Sequence, residues 1–190
     1  MSTLMRASEI TKRPVVTFAG DDIAQIKDIV YGAGGGQIAG FTLAGRGLFS
    51  GPLKESLPWA SVAALGPDAV MVRDESALEP RKEFLAEAGD ASGGDVMGSE
   101  VLTDTGTSLG TVSDVVIQTD ARNCDVVGYE IESSEALGTK GQKVLIPLPD
   151  TISASGQHLV VPAAARDFVS NDLAGFGASI EAFRARLEKR

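Results

Sequence analysis

Along the chain, apolar and polar positions alternate in short runs rather than in helical stripes. "IAQIKDIVY" (23–31) and "TVSDVVIQT" (111–119) alternate in this way and are bounded by glycine or aspartate. Period-two runs rich in β-branched residues predict strands. "QIAGFTLA" (37–44) and "CDVVGYEIE" (124–132) follow as partner strands, each closing a hairpin. "LPWASVAALGPDAVMV" (57–72) and "VLIPLPDTISASGQHLVVP" (144–162) then read as strand, proline-marked turn, and strand. Their turns fall at Gly66-Pro67 and Ser155-Gly156. Helical spacing is confined to two places. Residues 74–95 hold a short helix, with Leu78, Phe84, Leu85 and Ala88 as its apolar face, followed by the linker "GDASGGD". Residues 164–190 read as two helical pieces broken near Gly175 and Gly177. In the second piece Phe176, Ile180, Phe183 and Leu187 share one face.

These runs repeat. "GDDIAQIKDIVY" (20–31) aligns with "GTSLGTVSDVVI" (106–117), pairing Gly20 with Gly106 and Asp28 with Asp114. "IAGFTL" aligns with "VVGYEI", pairing Gly40 with Gly128, and the following blocks pair Pro58 with Pro147. The entrances also match, Ser8-Glu9-Ile10 with Ser99-Glu100-Val101. Four blocks in one order at nearly constant spacing predict two copies of one small β module. Many short strands at this spacing suggest a small antiparallel barrel or sandwich. Two such copies predict packing about a pseudo-twofold axis.

The recurrent glycine, aspartate, glycine and proline of each copy (Gly20, Asp28, Gly40, Pro58; Gly106, Asp114, Gly128, Pro147) resemble the PRC-barrel module. The resemblance implies a six-stranded barrel in each copy. The chain then divides into repeat 1 (residues 1–75), a linker helix and flexible linker (76–94), repeat 2 (95–165) and a helical C-terminal segment (166–190). Members of that family include the cytoplasmic part of the photosynthetic reaction-centre H subunit and the C-terminal domain of a small-subunit ribosome-maturation factor. Stand-alone prokaryotic proteins also belong to it. It is a family of binding and scaffolding modules, so the resemblance implies no catalysis. The N-terminal span of the H subunit and the extra barrel of the maturation factor are not read here, so those two roles are not carried over.

Composition narrows the partners. A net charge of −9, split as −3 over residues 1–90 and −6 over 91–190, leaves no basic patch for nucleic acid. A charged partner would be basic; otherwise the charge serves solubility. No run of apolar residues is long enough for a membrane span. With no signal segment and Cys124 as the one cysteine, a reducing cytoplasm is expected.

Candidate chemistry is thin. Gly34-x-Gly36-x-x-Ala39 fits a loose dinucleotide fingerprint, but it joins two strands, and its counterpart "IQTDARNCDVVG" lacks glycine before Gly128. "GTSLG" (106–110) matches a nucleophile elbow, which would make Ser108 the nucleophile, Asp125 or Asp150 the orienting acid and His158 the base. A strand rather than a helix follows it, so the elbow is disfavoured. One histidine and one cysteine cannot build a zinc site. Asp21, Asp22 and Asp120 read as turn aspartates, and no metal or other cofactor is expected. Asp28 and Asp114 are carboxylates within apolar strands, expected to accept hydrogen bonds from turn or strand-end N–H groups or else to contact a partner. Trp59 reads as core and His158 as a strand residue with its tip in solvent.

The expected activity is that of a non-catalytic adaptor for a protein partner, or of a homo-oligomer. The alternative is a ribosome-assembly accessory that meets a basic ribosomal protein. Two features are candidates for recognition. Leu48 and Phe49 lie in "GRGLFSG" and either plug a barrel end, as Leu137 would in "SSEALGTKG", or form a docking patch. The face Phe176, Ile180, Phe183, Leu187 either packs on its own barrel or binds another chain.

Overall fold

The computed structural model describes residues 2–33, 36–89, 96–148, 153–155 and 158–189. The chain runs through β1 (Thr3–Arg6), α1 (Ala7–Ile10), β2 (Pro14–Thr17), β3 (Asp22–Tyr31), β4 (Ile38–Ala44) and β5 (Pro52–Pro58). There follow β6 (Val62–Leu65), β7 (Val70–Val72), β8 (Glu79–Pro80) and α2 (Arg81–Ala88). The second half contains β9 (Glu100–Thr103), β10 (Ser108–Thr119), β11 (Cys124–Ser133), β12 (Lys143–Pro147), β13 (Ser153–Ser155), β14 (His158–Val161) and α3 (Leu173–Glu188).

The fold is mainly β, and the two halves have the same strand order. One sheet runs β6-β7-β2-β3-β4-β5 with β8 added at its edge; the other runs β13-β14-β9-β10-β11-β12. Each half therefore supplies six equivalent strands. The arrangement departs from a purely antiparallel barrel at one point per copy, because β2 runs parallel to β7 and β9 parallel to β14. Both long hairpins also carry a bulge at the recurrent aspartate: register slips between Ile26 and Asp28, and between Val112 and Asp114. A bulge sharpens the local twist, which lets a long strand bend between two neighbours.

Register revises the entrance alignment. β2 and β9 are the equivalent strands, so Val15 matches Val101 and Thr17 matches Thr103, a spacing of 86 rather than 91. Lys12 and Gly98 then coincide; both have positive φ, +70° and +80°, and donate to the carbonyls of Ile26 and Val112. The match between Ser8-Glu9-Ile10 and Ser99-Glu100-Val101 is one of letters, not of structure.

The equivalence continues beyond the barrels. A Cβ on Gly40 would run into the Leu57 carbonyl and meet the Pro58 backbone at 2.8 Å and the Phe84 ring at 2.9 Å. A Cβ on Gly128 would run into the Phe176 ring and the Ile146 carbonyl. Each glycine thus makes room for one phenylalanine of a covering helix, α2 or α3. The linker helix and the C-terminal helix are the same element in the two copies. Of the predicted α2 face, only Phe84 is buried inside the helix; Leu78 precedes it and Leu85 is 36% exposed. The linker after Gly89 lies outside the described residues. α3 is not broken at its glycines. Asp172 caps it, accepting from the Gly175 N–H at 2.7 Å, so both glycines fall in the first turns, where capping and the burial of Phe176 offset their cost.

The halves share one apolar core, in which Ile26, Phe41 and Leu57 of the first join Val112, Tyr129 and Ile146 of the second. Their junction has local twofold character. Gln37 pairs antiparallel with Asp125, its own counterpart, and Val126 N–H donates to the Gly36 carbonyl at 2.7 Å. Pairing between equivalent residues is what an isologous interface produces. Trp59, expected in the core, is half-buried at this boundary, where its indole N–H donates to the Arg122 carbonyl at 3.2 Å and its ring meets Phe41 edge-on.

The first residues cross over. β1 pairs with β10 of the second sheet, Arg6 opposite Val116. The Arg6 Nε lies 2.6 Å from Glu130, which is buried and also 3.3 Å from the Lys143 ammonium. Burial raises the Glu130 pKa, but Arg6 and Lys143 outweigh it, and the carboxyl ends below its ordinary range. Asp114 receives the backbone N–H groups of Ser8 and Val115, at 3.2 and 2.8 Å, and the Ser8 hydroxyl. This is the satisfied buried carboxylate expected of it. Asp28 differs: its side chain is 65% exposed, beside Lys27 and the Thr42 hydroxyl. The position equivalent to Ser8 in the second copy, residue 94, lies outside the described residues.

Candidate interaction site

Three loops meet at one end of the first barrel. β2 and β7 run parallel and finish there together, and Phe18 N–H donates to the Val72 carbonyl at 3.1 Å. The β4–β5 loop (45–51) joins them through Arg46, which lies 2.9 Å from Asp22 and 3.3 Å from the Gln25 side chain. The loop is closed by Gly45 N–H on the Gly51 carbonyl at 3.1 Å, and by the Ser50 hydroxyl on the Arg46 carbonyl at 2.7 Å. Gly47, with φ +124°, makes the reversal that a side chain would resist.

What this loop presents is apolar. Leu48 is 98% exposed and Phe49 100% exposed, so neither plugs the barrel. Phe18, in the neighbouring turn, is 64% exposed. Phe18 was missed in the sequence. Its signal was an aromatic placed directly after the strand "PVVT" and before the turn glycine Gly20, outside the alternating pattern.

The second barrel finishes the same end differently. Phe18 is replaced by Asp104, whose carboxylate receives the Ala163 N–H at 2.9 Å. The loop after β11 folds into a short 3₁₀ turn, with the Ser134 hydroxyl donating to the Ser108 carbonyl at 2.6 Å and accepting from the Ala136 N–H. Leu137 packs against the core, as a plug should. The surface left is a polar groove lined by Ser108, Thr111, Glu132, Ser134, Glu135 and Lys140.

The other candidate residues fall as follows. Ser108 opens β10 and is followed by eleven more strand residues, not by a helix. His158 lies exposed on β14, with Nε2 3.5 Å from Glu100 and not bonded to Ser108. Asp125 sits at the opposite end of the β10–β11 hairpin, paired with Gln118, and Asp150 lies outside the described residues. Asp120 accepts the Arg122 and Asn123 backbone N–H groups at 2.7 and 2.8 Å, a turn aspartate. Of the glycine run, Gly32 closes a turn by donating to the Gln37 carbonyl, whereas Gly34 and Gly35 lie outside the described residues. Phe176, Ile180 and Phe183 are buried and Leu187 half-buried against the chain's own strands and the Phe168 ring. This face is therefore taken in cis and is not open to a second protein. Cys124 is buried, and burial pushes its thiol up to about 12; the Tyr129 hydroxyl rises to about 12 for the same reason. Among the described residues no helix is long and apolar enough to cross a membrane.

Two copies of a six-stranded module, each with a covering helix and a glycine kept clear for it, define a duplicated β-barrel protein. The PRC-barrel domain family matches residues 2–78 and again residues 90–167, and the chain belongs to that family. No curated protein matches the chain.

Proposed function

We propose that the protein is a non-catalytic adaptor of the cytoplasm that engages a protein partner through the loop end of its first barrel. PRC-barrel modules commonly serve protein interaction and ribosome processing. The observation that carries the reading is the full exposure of Leu48 and Phe49 in a loop whose counterpart turns its leucine inward. Isolated apolar side chains at a surface are ordinary, but adjacent Leu and Phe beside a second exposed aromatic make the apolar patch of an interface anchor. The test is affinity purification from the native host with the wild-type chain and with Phe49→Ser as baits. The adaptor reading expects a defined partner retained by the wild type. It fails if the wild type retains none.

A second reading rests on the net charge of −9. An acidic surface suits a basic ribosomal protein, which would make this an assembly accessory. Co-sedimentation with pre-ribosomal particles in the same host is its expected result, and a chain confined to the soluble fractions sinks it.

A further inference from the structure

Taking that adaptor reading as given, we infer that the exposed tip Leu48-Phe49, with Phe18 in the neighbouring turn of the same barrel end, forms one docking knob, and that its partner is a concave apolar pocket flanked by lysine or arginine. The argument begins with shape. Exposures of 98% and 100% mean that Leu48 and Phe49 touch almost nothing of their own chain. Such a tip is convex, and on a protein partner a convex apolar tip is desolvated most fully by a concave surface. Three side chains are also too few for the roughly 800 Å² per partner of a stable flat dimer. The open groove at the equivalent end of the second barrel is lined by hydroxyls, two carboxylates and an ammonium, so a second copy offers no matching pocket there.

Charge supplies the second constraint. The three loops carry Asp21, Asp22, Asp74 and Glu75 against Arg46 and Arg73. Arg46 is committed to Asp22. Asp74 is held ionised by the hydroxyl and N–H of Ser76, which lower its pKa, and Asp21 and Glu75 stand exposed. With Arg46 paired to Asp22, three carboxylates against the single guanidinium of Arg73 leave this barrel end net negative. A basic border around the pocket complements it and speeds encounter, whereas an acidic border or an anionic lipid surface is repelled. The second barrel lacks the knob because Asp104 stands in place of Phe18 and Leu137 is turned inward.

The test places a photoreactive residue at the tip, Phe49→p-benzoylphenylalanine, in the full chain in its native host. The same residue at Leu137 serves as the control. The expected result is a cross-linked protein whose contacted segment is apolar and adjoins Lys or Arg. That product should be lost when Phe18→Ser and Leu48→Ser are added. Binding of the purified partner should weaken roughly 30-fold with Phe49→Ser, and further with salt. Cross-links only to a second copy, to lipid, or to a protein surface without basic residues overturn the inference. So does a yield at position 49 no higher than at position 137. If affinity purification returns a partner that Phe49→Ser still retains in full, the protein remains an adaptor but not through this loop end, and this inference falls.

Discussion

The two barrels have the same strand order and the same bulge at the recurrent aspartate, yet they end differently. The first presents Phe18, Leu48 and Phe49 to solvent; the second holds Leu137 against the core and puts Asp104 where Phe18 would be. The features they share are those the fold needs: Gly40 and Gly128 for the covering helices, Val15 and Val101 for the core. The loop ends are released from that requirement, since a loop does not decide the packing of the strands it joins. In the duplicated chain one end is therefore plugged while the other presents its apolar side chains.

The largest expected effect tests the shared part. Gly128→Ala should destabilise the protein by about 3 kcal/mol, because the new methyl enters the Phe176 ring and the Ile146 carbonyl. Gly40→Ala should cost a similar amount, about 3 kcal/mol, because its methyl would run into the Leu57 carbonyl and the Pro58 backbone, which cannot yield as the Phe84 ring can. Urea midpoints of the two variants measure both. A much smaller effect at Gly40 would mean that the first barrel's strands and covering helix give way where the second's do not.

The next effect tests the crossing of the first residues. Glu130 lies opposite Asp114 in β11, as Thr42 lies opposite Asp28 in β4, so only the second barrel buries an ion pair there. Arg6→Ala should cost about 2 kcal/mol. That is below the range for removing one partner of a fully buried pair, because Lys143 remains and Arg6 is partly exposed. The sign with pH follows from the lowered folded pKa of Glu130. Its contribution is complete above the unfolded value near 4.3 and is lost as pH falls through the lower folded value. The variant should therefore show a shallower loss of stability between about pH 5 and pH 3 than the wild type, read from thermal midpoints across that window.

Much of this was legible because the repeat is written in positions that tolerate few residues. Gly20, Gly106, Gly40 and Gly128 mark turns and close approaches, and the alternating runs between them mark the long hairpin of each copy; the count of six strands comes from the family resemblance. The entrance was not legible. Its letters repeat at the wrong spacing, and residues 3–10 serve the other half of the molecule. The continuity of α3 was hidden because two glycines near its start outweigh, in a local reading, a capping aspartate and a buried phenylalanine. Of the candidate site, Leu48 and Phe49 were visible as an apolar pair in a glycine-rich loop. Whether such a pair plugs or projects depends on the path of the loop, and here the two copies give opposite answers.

The smallest expected effect on stability is the sharpest test of that contrast. Leu137→Ser removes an apolar side chain from the core and should cost about 1 to 2 kcal/mol, less than a fully buried leucine because Leu137 is half-buried. Leu48→Ser with Phe49→Ser removes more apolar surface from the chain, yet it should shift stability by no more than about 0.5 kcal/mol, since neither side chain is buried in the folded state. Chemical denaturation of both variants, with partner capture measured alongside, gives four numbers. The expected pattern is crossed: the second-barrel variant loses stability and keeps its partner, and the first-barrel variant keeps stability and loses its partner. If the Leu48→Ser, Phe49→Ser chain unfolds as readily as Leu137→Ser, the loop is a plug in both barrels, and the contrast between the two ends disappears.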